Sequence, residues 1–218
     1  MKNAIEIIKY FESCSYTPYV DHEIVTIGYG HTNKEDITES ITEEKAIYLL
    51  YQDLKICNEV LDDYLSKIDI KLYEREALIS LIFNIGENQF LNSTVYKNIL
   101  NGDRLKTCFS IIKYVKVFDN VYLGLEKRRL TECALFCGDN NYSDFFTYRQ
   151  LDFNSVSLNT RSDYYLNISK RLSDLGYKNN LAGIKLFQER NNLISDGILG
   201  IKSVAMLIYQ GNKNEFVY

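Results

Sequence analysis

The sequence predicts an α+β protein, mainly helical, with one small β-hairpin lobe and a separate three-helix domain at its C-terminal end. Three observations predict this. Apolar residues recur at helical spacing through most of the 218 residues. One stretch, 16–32, replaces that spacing with β-formers and glycines. A polar, aperiodic stretch, 139–162, then separates two helical regions. A single proline and abundant Leu, Ile, Lys and Glu also suit helices.

In chain order, Ile5, Ile8 and Phe11, flanked by Ala4 and Ile7, form the stripe of a first helix over 3–13. Tyr19, Val20, Ile24, Val25, Ile27 and Tyr29, with glycines at 28 and 30, read as a short antiparallel strand pair. Thr42 is a good N-cap, and Glu43 and Glu44 suit the first turn of the helix that follows. Helical patterns run through 43–65, 73–84, 93–100, 103–115 and 125–137, with Gly86, Gly102, Gly124 and Gly138 as breaks. Three short helices follow at 163–175, 181–190 and 200–210. The expected domains are 1–145 and 161–218, with 146–160 as linker.

Composition excludes several classes. The five cysteines are odd in number and irregular in spacing, so they do not form a secreted disulfide framework. Cys133 and Cys137 share a helix face, but no second Cys/His pair completes a metal site; buried free thiols are expected, with no metal and no cofactor. Basic residues form no stripe interleaved with aromatics, so no nucleic acid is expected. No secretory signal and no stretch of about 20 apolar residues is visible, so no membrane insertion is expected. Residues 1–145 hold 16 Lys/Arg against 23 Asp/Glu, and residues 146–218 hold 9 against 6, dividing the net charge of −4 into −7 and +3. A mildly basic C-terminal piece suits an anionic polymer, although scatter in surface charge accounts for it as well.

The chemistry lies in Glu12-Ser-Cys-Ser-Tyr-Thr-Pro-Tyr-Val-Asp21-His-Glu-Ile-Val-Thr26-Ile-Gly28-Tyr29-Gly30-His31-Thr32. A glutamate ends the first helix, an aspartate follows in the first strand, and a threonine lies in the second. Glycoside hydrolysis needs one carboxyl group that donates a proton to the leaving oxygen and a second group that stabilises positive charge or directs a water. A helix end facing a strand pair can hold such groups across a cleft. Taken singly, Glu12 reads as a solvated helix residue and Asp21 as a turn residue. For Glu12 to act as an acid near neutral pH its pKa must be raised, with Phe11 and Tyr19 as apolar cover and Asp21 as the neighbouring charge.

Glu12, Asp21 and the run Thr26-Ile-Gly-Tyr-Gly-His-Thr32 resemble the signature of the phage-type lysozymes, glycoside hydrolase family 24. Ala77–Gly86, Ser93-Thr94, Leu100–Asp103 and Gly124-Leu-Glu-Lys-Arg128-Arg129 resemble later blocks in the right order, so the resemblance covers about residues 3–137. It implies a phage-lysozyme-like fold, and hydrolysis of the bond from N-acetylmuramic acid to N-acetylglucosamine in bacterial peptidoglycan. Glu12 would be the general acid, Asp21 would stabilise charge or activate water, and Thr26 would place that water. Gly28, Tyr29, His31, Asn84 and Arg128 would border the substrate, with His31 also readable as a satisfied hydrogen-bonding residue. The chain departs from the family at two places. Its Asp21-to-Thr26 turn is one residue shorter and lacks the usual glycine, and Tyr114 stands where a tryptophan is common.

Leu172–Tyr177, Ala182–Gln188 and Leu193–Gly200 resemble the three-helix peptidoglycan-binding domain found beside many wall hydrolases. Tyr177, Phe187, Gln188, Asp196 and Gly197 carry that resemblance, with Gly176 and Gly197 at turns. The loop between Gly176 and Ala182 is shorter than in relatives. A helical add-on that only stabilises the enzyme is the plainer reading. The expectation is thus a monomeric endolysin that stays in the host cytoplasm until release, with a holin-type pore as one route. Two alternatives stay open: a lytic transglycosylase, which cuts the same bond without water, and a wall-binding virion component without catalysis.

Overall fold

The computed structural model describes residues 1–21, 23–37, 39–155 and 158–213; His22 and the Asp21 side chain lie outside the described part. The chain forms two compact units, Met1–Ser93 and Thr94–Tyr218.

The first unit opens with α1 (Lys2–Phe11), which buries Ala4, Ile7 and Ile8 against α3 (Leu72–Ile85). The backbone N–H and the side chain of Asn3 donate to Glu76 at 3.1 and 2.8 Å, so a carboxylate only 3% exposed is hydrogen-bonded where the two helices meet. After α1 the backbone turns extended at Glu12, with φ −98° and ψ 136°. Strands β1 (Ser15–Asp21) and β2 (Ile24–Gly28) pair antiparallel with Tyr19 opposite Thr26, Val20 opposite Val25 and Asp21 opposite Ile24. The register shifts between Ser15 and Tyr19, where Pro18 has no N–H for the ladder.

The predicted helix over 43–65 is α2 (Glu43–Leu65), and Thr42 Oγ1 accepts from the Lys45 N–H at 3.3 Å. Arg75 of α3 donates to Asn58 of α2 through Nε at 2.7 Å and also reaches Asp62. Gly86, at φ +84°, ends α3, and the five-residue helix α4 (Glu87–Leu91) follows without any signal in the sequence periodicity.

The second unit contains α5 (Thr94–Leu100), α6 (Arg104–Ile111), a two-residue pair β3 (Lys116–Val117) and β4 (Asn120–Val121), and α7 (Leu123–Phe136). Gly124 is not a break: α7 starts one residue before it. Near a helix N-terminus glycine costs little, because the first-turn N–H groups have no intrahelical partner to lose. Residues 139–155 lack periodicity because they form a 3-10 turn (Tyr142–Thr147) and a short strand β5 (Leu151–Asp152). Even so, Phe145, Tyr148 and Leu151 are buried.

Helices α8 (Asp163–Asp174), α9 (Leu181–Arg190) and α10 (Ile201–Asn212) match the three predicted C-terminal helices. Strand β6 (Ile198–Leu199) pairs with β5, and α10 packs on α6, α7 and α8. Arg171 of α8 bonds both Asp139 and Asp144. Gly183, in the first turn of α9, is under strict spatial limits: its N–H donates to Asn180 Oδ1 at 2.9 Å, and an added Cβ would lie 1.9 Å from the Lys178 carbonyl oxygen. Gly183→Ala is expected to destabilise the chain by about 2–3 kcal/mol, since backbone rather than a flexible side chain must move. Urea unfolding followed by circular dichroism checks this.

Candidate active site

The candidate site of the first unit starts at the end of α1. The Glu12 N–H closes the helix on Ile8 O at 2.8 Å, while its extended backbone leads the chain into β1. The Glu12 side chain is half-buried. Thr26 lies in the buried half of β2, 4% exposed, and its hydroxyl donates to Ile24 O at 3.2 Å. That leaves the hydroxyl oxygen free to act as an acceptor, because its single proton is already given. The backbone of Asp21 sits two pairs beyond the Tyr19–Thr26 pair, at the end of the ladder. Tyr19, opposite Thr26, is 40% exposed, so an aromatic ring open to solvent accompanies the hydroxyl.

The hairpin closes in a two-residue loop whose second residue, Glu23, has φ +70°. This is where the family's usual glycine is missing, and a non-glycine residue adopts the left-handed conformation instead. The shorter loop therefore keeps Asp21 and Ile24 in register.

At the base of the hairpin lies a polar group that motif reading did not reach. Cys14 hydrogen-bonds Tyr29 and Tyr16. Lys9 Nζ stands 3.7 Å from Glu43 Oε1 and 5.9 Å from the centroid of the Tyr29 ring. Burial raises the Tyr29 phenol above its ordinary value, and the charge of Glu43 adds to the effect. The helical spacing of Lys9 and Glu12 was the only signal available; Cys14 and Glu43 depend on long-range folding.

The expected substrate-bordering residues divide by exposure. Gly28, at φ +64°, backs onto α2, where an added Cβ would lie 3.7 Å from Ala46, so the close approach there is made by a helix. Tyr29 is buried at 7%. His31 is 6% exposed; its Nδ1–H donates to Asp53 Oδ1 at 2.9 Å and its Nε2 lies 3.4 Å from Asp36 Oδ2. Burial pushes the Asp53 carboxyl up, and the hydrogen bond from His31 pulls against it. The two residues brace the hairpin against α2. Asp53→Ala is expected to cost about 1–3 kcal/mol in urea unfolding, because buried His31 loses its partner, while KM for soluble wall fragments stays unchanged. Asn84 is exposed on the last turn of α3. In the second unit, Arg128 is 2% exposed, with Nε 3.2 Å from Glu132 Oε1.

Among known proteins, the sequence model described as phage lysozyme matches residues 9–132, more than half of the chain. The chain belongs to the phage lysozyme family. The endolysin of Salmonella phage P22 is 34% identical over 142 residues, which are 62% of this chain and 94% of that one. The endolysin of Bacillus phage B103 is 34% identical over 138 residues, and the match spans about half (51%) of that relative's length. The structure of the muramidase domain of SpmX from Asticaccaulis excentricus superposes with a TM-score of 0.58 at 27% identity, covering 62% of this chain and 95% of that domain.

Of the residues singled out above, Glu12, Asp21, Thr26, Gly28, Tyr29, His31, Asn84 and Arg128 fall inside the span matched by the phage lysozyme family, while Tyr177, Phe187, Gln188, Asp196 and Gly197 lie beyond it. The structure places these last residues around one turn. Gln188, 1% exposed, directs Nε2 to Asp196 Oδ1 and Ile198 O at 2.9 Å, and its Oε1 accepts from the Gly197 N–H at 2.9 Å. Phe187 is fully buried, edge-on to Tyr177 with ring centroids 5.2 Å apart. Gly197 has φ +78°, and an added Cβ would meet Leu181 at 2.4 Å. Gln188, Phe187 and Gly197 thus build the turn, and Asp196 is the exposed member. No helix of the described residues is long and apolar enough to cross a membrane.

Proposed function

We propose that the chain is an endolysin that hydrolyses the β-1,4 bond between N-acetylmuramic acid and N-acetylglucosamine in bacterial peptidoglycan. The observation that carries this reading is the family match across residues 9–132, with a glutamate at the end of α1 and a buried threonine in the hairpin that follows. Glu12 protonates the leaving glycosidic oxygen. Thr26 places a water that adds to the sugar carbon as positive charge develops there, and Asp21 stabilises that charge or takes the water's proton. Tyr19 offers a ring to the apolar face of a sugar. Asn84, exposed on α3, is a second substrate contact. No cofactor takes part in these steps. Mass spectrometry of digested peptidoglycan tests the reading: reducing ends support hydrolysis, and 1,6-anhydro ends establish the transglycosylase instead. Intact glycan would favour a virion component that binds without cutting.

The C-terminal helices serve as the wall-binding part under this proposal, with 161–218 as the binding module, 146–160 as its linker and 1–145 as the catalytic domain. The supporting feature is a groove of about 330 Å³ beside the Gln188 turn, lined by Leu193, Ile194, Ile198 and Ile201, with Asp196, Lys202 and Ser203 and, from outside 161–218, Glu126 and Gln150 as polar members. Ile194, 80% exposed, lines this groove. Ile194→Glu is expected to weaken co-sedimentation with intact walls by about tenfold, the worth of one buried aliphatic side chain. Cleavage of soluble fragments should not change. Unaltered sedimentation would leave the helices as a stabilising add-on. Under this reading the enzyme acts as a monomer from the host cytoplasm after release to the wall, with a holin-type pore as one route.

A further inference from the structure

The densest group of metal-ligating side chains in the second unit is a triangle of thiols. Cys108 lies on α6, Cys133 in the last turn of α7 and Cys137 at the C-cap of α7. All three are fully buried. Their Sγ atoms lie within 4.8 Å of one another, and Cys108 Sγ is 3.2 Å from Cys137 Sγ. In the sequence only Cys133 and Cys137 were adjacent, one helical turn apart; the third sulfur arrives because α6 packs on α7. No imidazole or carboxylate joins the group among the described residues. Asp139, two residues beyond Cys137, is held by Arg171 and by the Asn141 N–H at 2.9 Å.

A buried cysteine acts as a small hydrophobe and has no need to face two others. Three sulfurs around an ion in their plane do have a required spacing. With metal–sulfur bonds of about 2.3 Å, the sulfurs stand about 4 Å apart. The observed triangle brackets that value, so each edge needs to change by less than about 1 Å. The donor set is all sulfur and three in number. Structural zinc takes four ligands, whereas soft thiolates select copper(I).

We propose that Cys108, Cys133 and Cys137 form a three-sulfur site for a soft monovalent ion of the copper(I) class. Each thiol that binds as thiolate releases one proton, so affinity rises with pH. The bound ion links α6 to the end of α7 and stabilises the folded unit by mass action.

The test uses the full reduced chain without oxygen. Copper(I) is titrated against a chromophoric chelator, and retained metal is counted by mass spectrometry. One equivalent per chain is expected, with three sulfur neighbours in the X-ray absorption spectrum and a raised thermal midpoint. Cys14→Ser and Cys57→Ser should retain it, while Cys108→Ser, Cys133→Ser and Cys137→Ser should each lose affinity by at least tenfold. Failure of the folded chain to retain copper(I), or equal retention by the three variants, would overturn the proposal. Should the serine variants not fold, the wild-type sulfur count decides: fewer than three neighbours overturns it. Tighter retention of zinc than of copper(I) at these thiols would overturn the choice of ion.

Discussion

Glu12→Gln should lower cleavage of purified peptidoglycan by about 10²–10⁴-fold, the range a positioned general acid supplies. The amide keeps the size of the carboxyl group but has no acidic proton to give to a leaving oxygen. The fold should survive the change. The contact that ends α1 is made by the Glu12 backbone N–H to Ile8 O, which the substitution leaves in place, and the side chain is only half-buried. Stability should therefore change by no more than about 1 kcal/mol, because the amide keeps the size of the half-buried side chain. Loss of activity at unchanged stability identifies the acid. Activity within tenfold of wild type would show that the proton comes from elsewhere. The size of the loss also bears on the shortened hairpin loop. If Asp21 and Thr26 still direct water, residual cleavage by Glu12→Gln should yield reducing ends at the lower rate.

Much of the fold was legible because its long helices carry local signals. The Thr42 cap and the apolar periodicity put α2 at 43–65, as observed. The strand pair was readable from Tyr19, Val20, Ile24 and Val25, although those four side chains face outward while Thr26, Ile27 and Gly28 are the buried part of β2. Elements held by distant partners were not readable. Strand β5 exists because Leu151 and Asp152 meet Leu199 and Ile198, and α4 is too short to show a period. The candidate site divides the same way. Glu12, Asp21 and Thr26 sit in one local run with a known pattern. The partnership of His31 with Asp53 spans 22 positions, and that of Cys108 with Cys137 spans 29, so no local rule could pair them. Gln188 and Gly197 were picked out by motif, but only the structure showed them bonded to each other inside a turn.

Glu132→Ala should cost about 3–5 kcal/mol in urea unfolding, a large share of the stability of any domain. Glu132 is fully buried on α7 between two arginines that are themselves 2% and 0% exposed. Arg129 Nη2 donates to Oε1 at 2.9 Å, Arg129 Nε lies 2.8 Å from Oε2, and Arg128 Nε donates to Oε1 at 3.2 Å. Removing the carboxylate leaves two desolvated guanidinium groups facing a hole, which costs more than the original ion pairs contributed. Glu132→Gln should fall between the two chains, since it keeps an acceptor oxygen but loses the charge. Arg128→Lys then separates two readings of the arginine block. If Arg128 serves the fold, Glu132→Ala lowers stability, and Arg128→Lys lowers stability with KM for soluble fragments unchanged, because lysine cannot reproduce the planar fork. If Arg128 instead holds substrate, Arg128→Lys would raise KM with stability unchanged, while Glu132→Ala would still destabilise the chain through Arg129. The burial of both guanidinium groups favours the first outcome, and it gives the Gly124–Arg129 block a structural rather than a catalytic reason for its pattern.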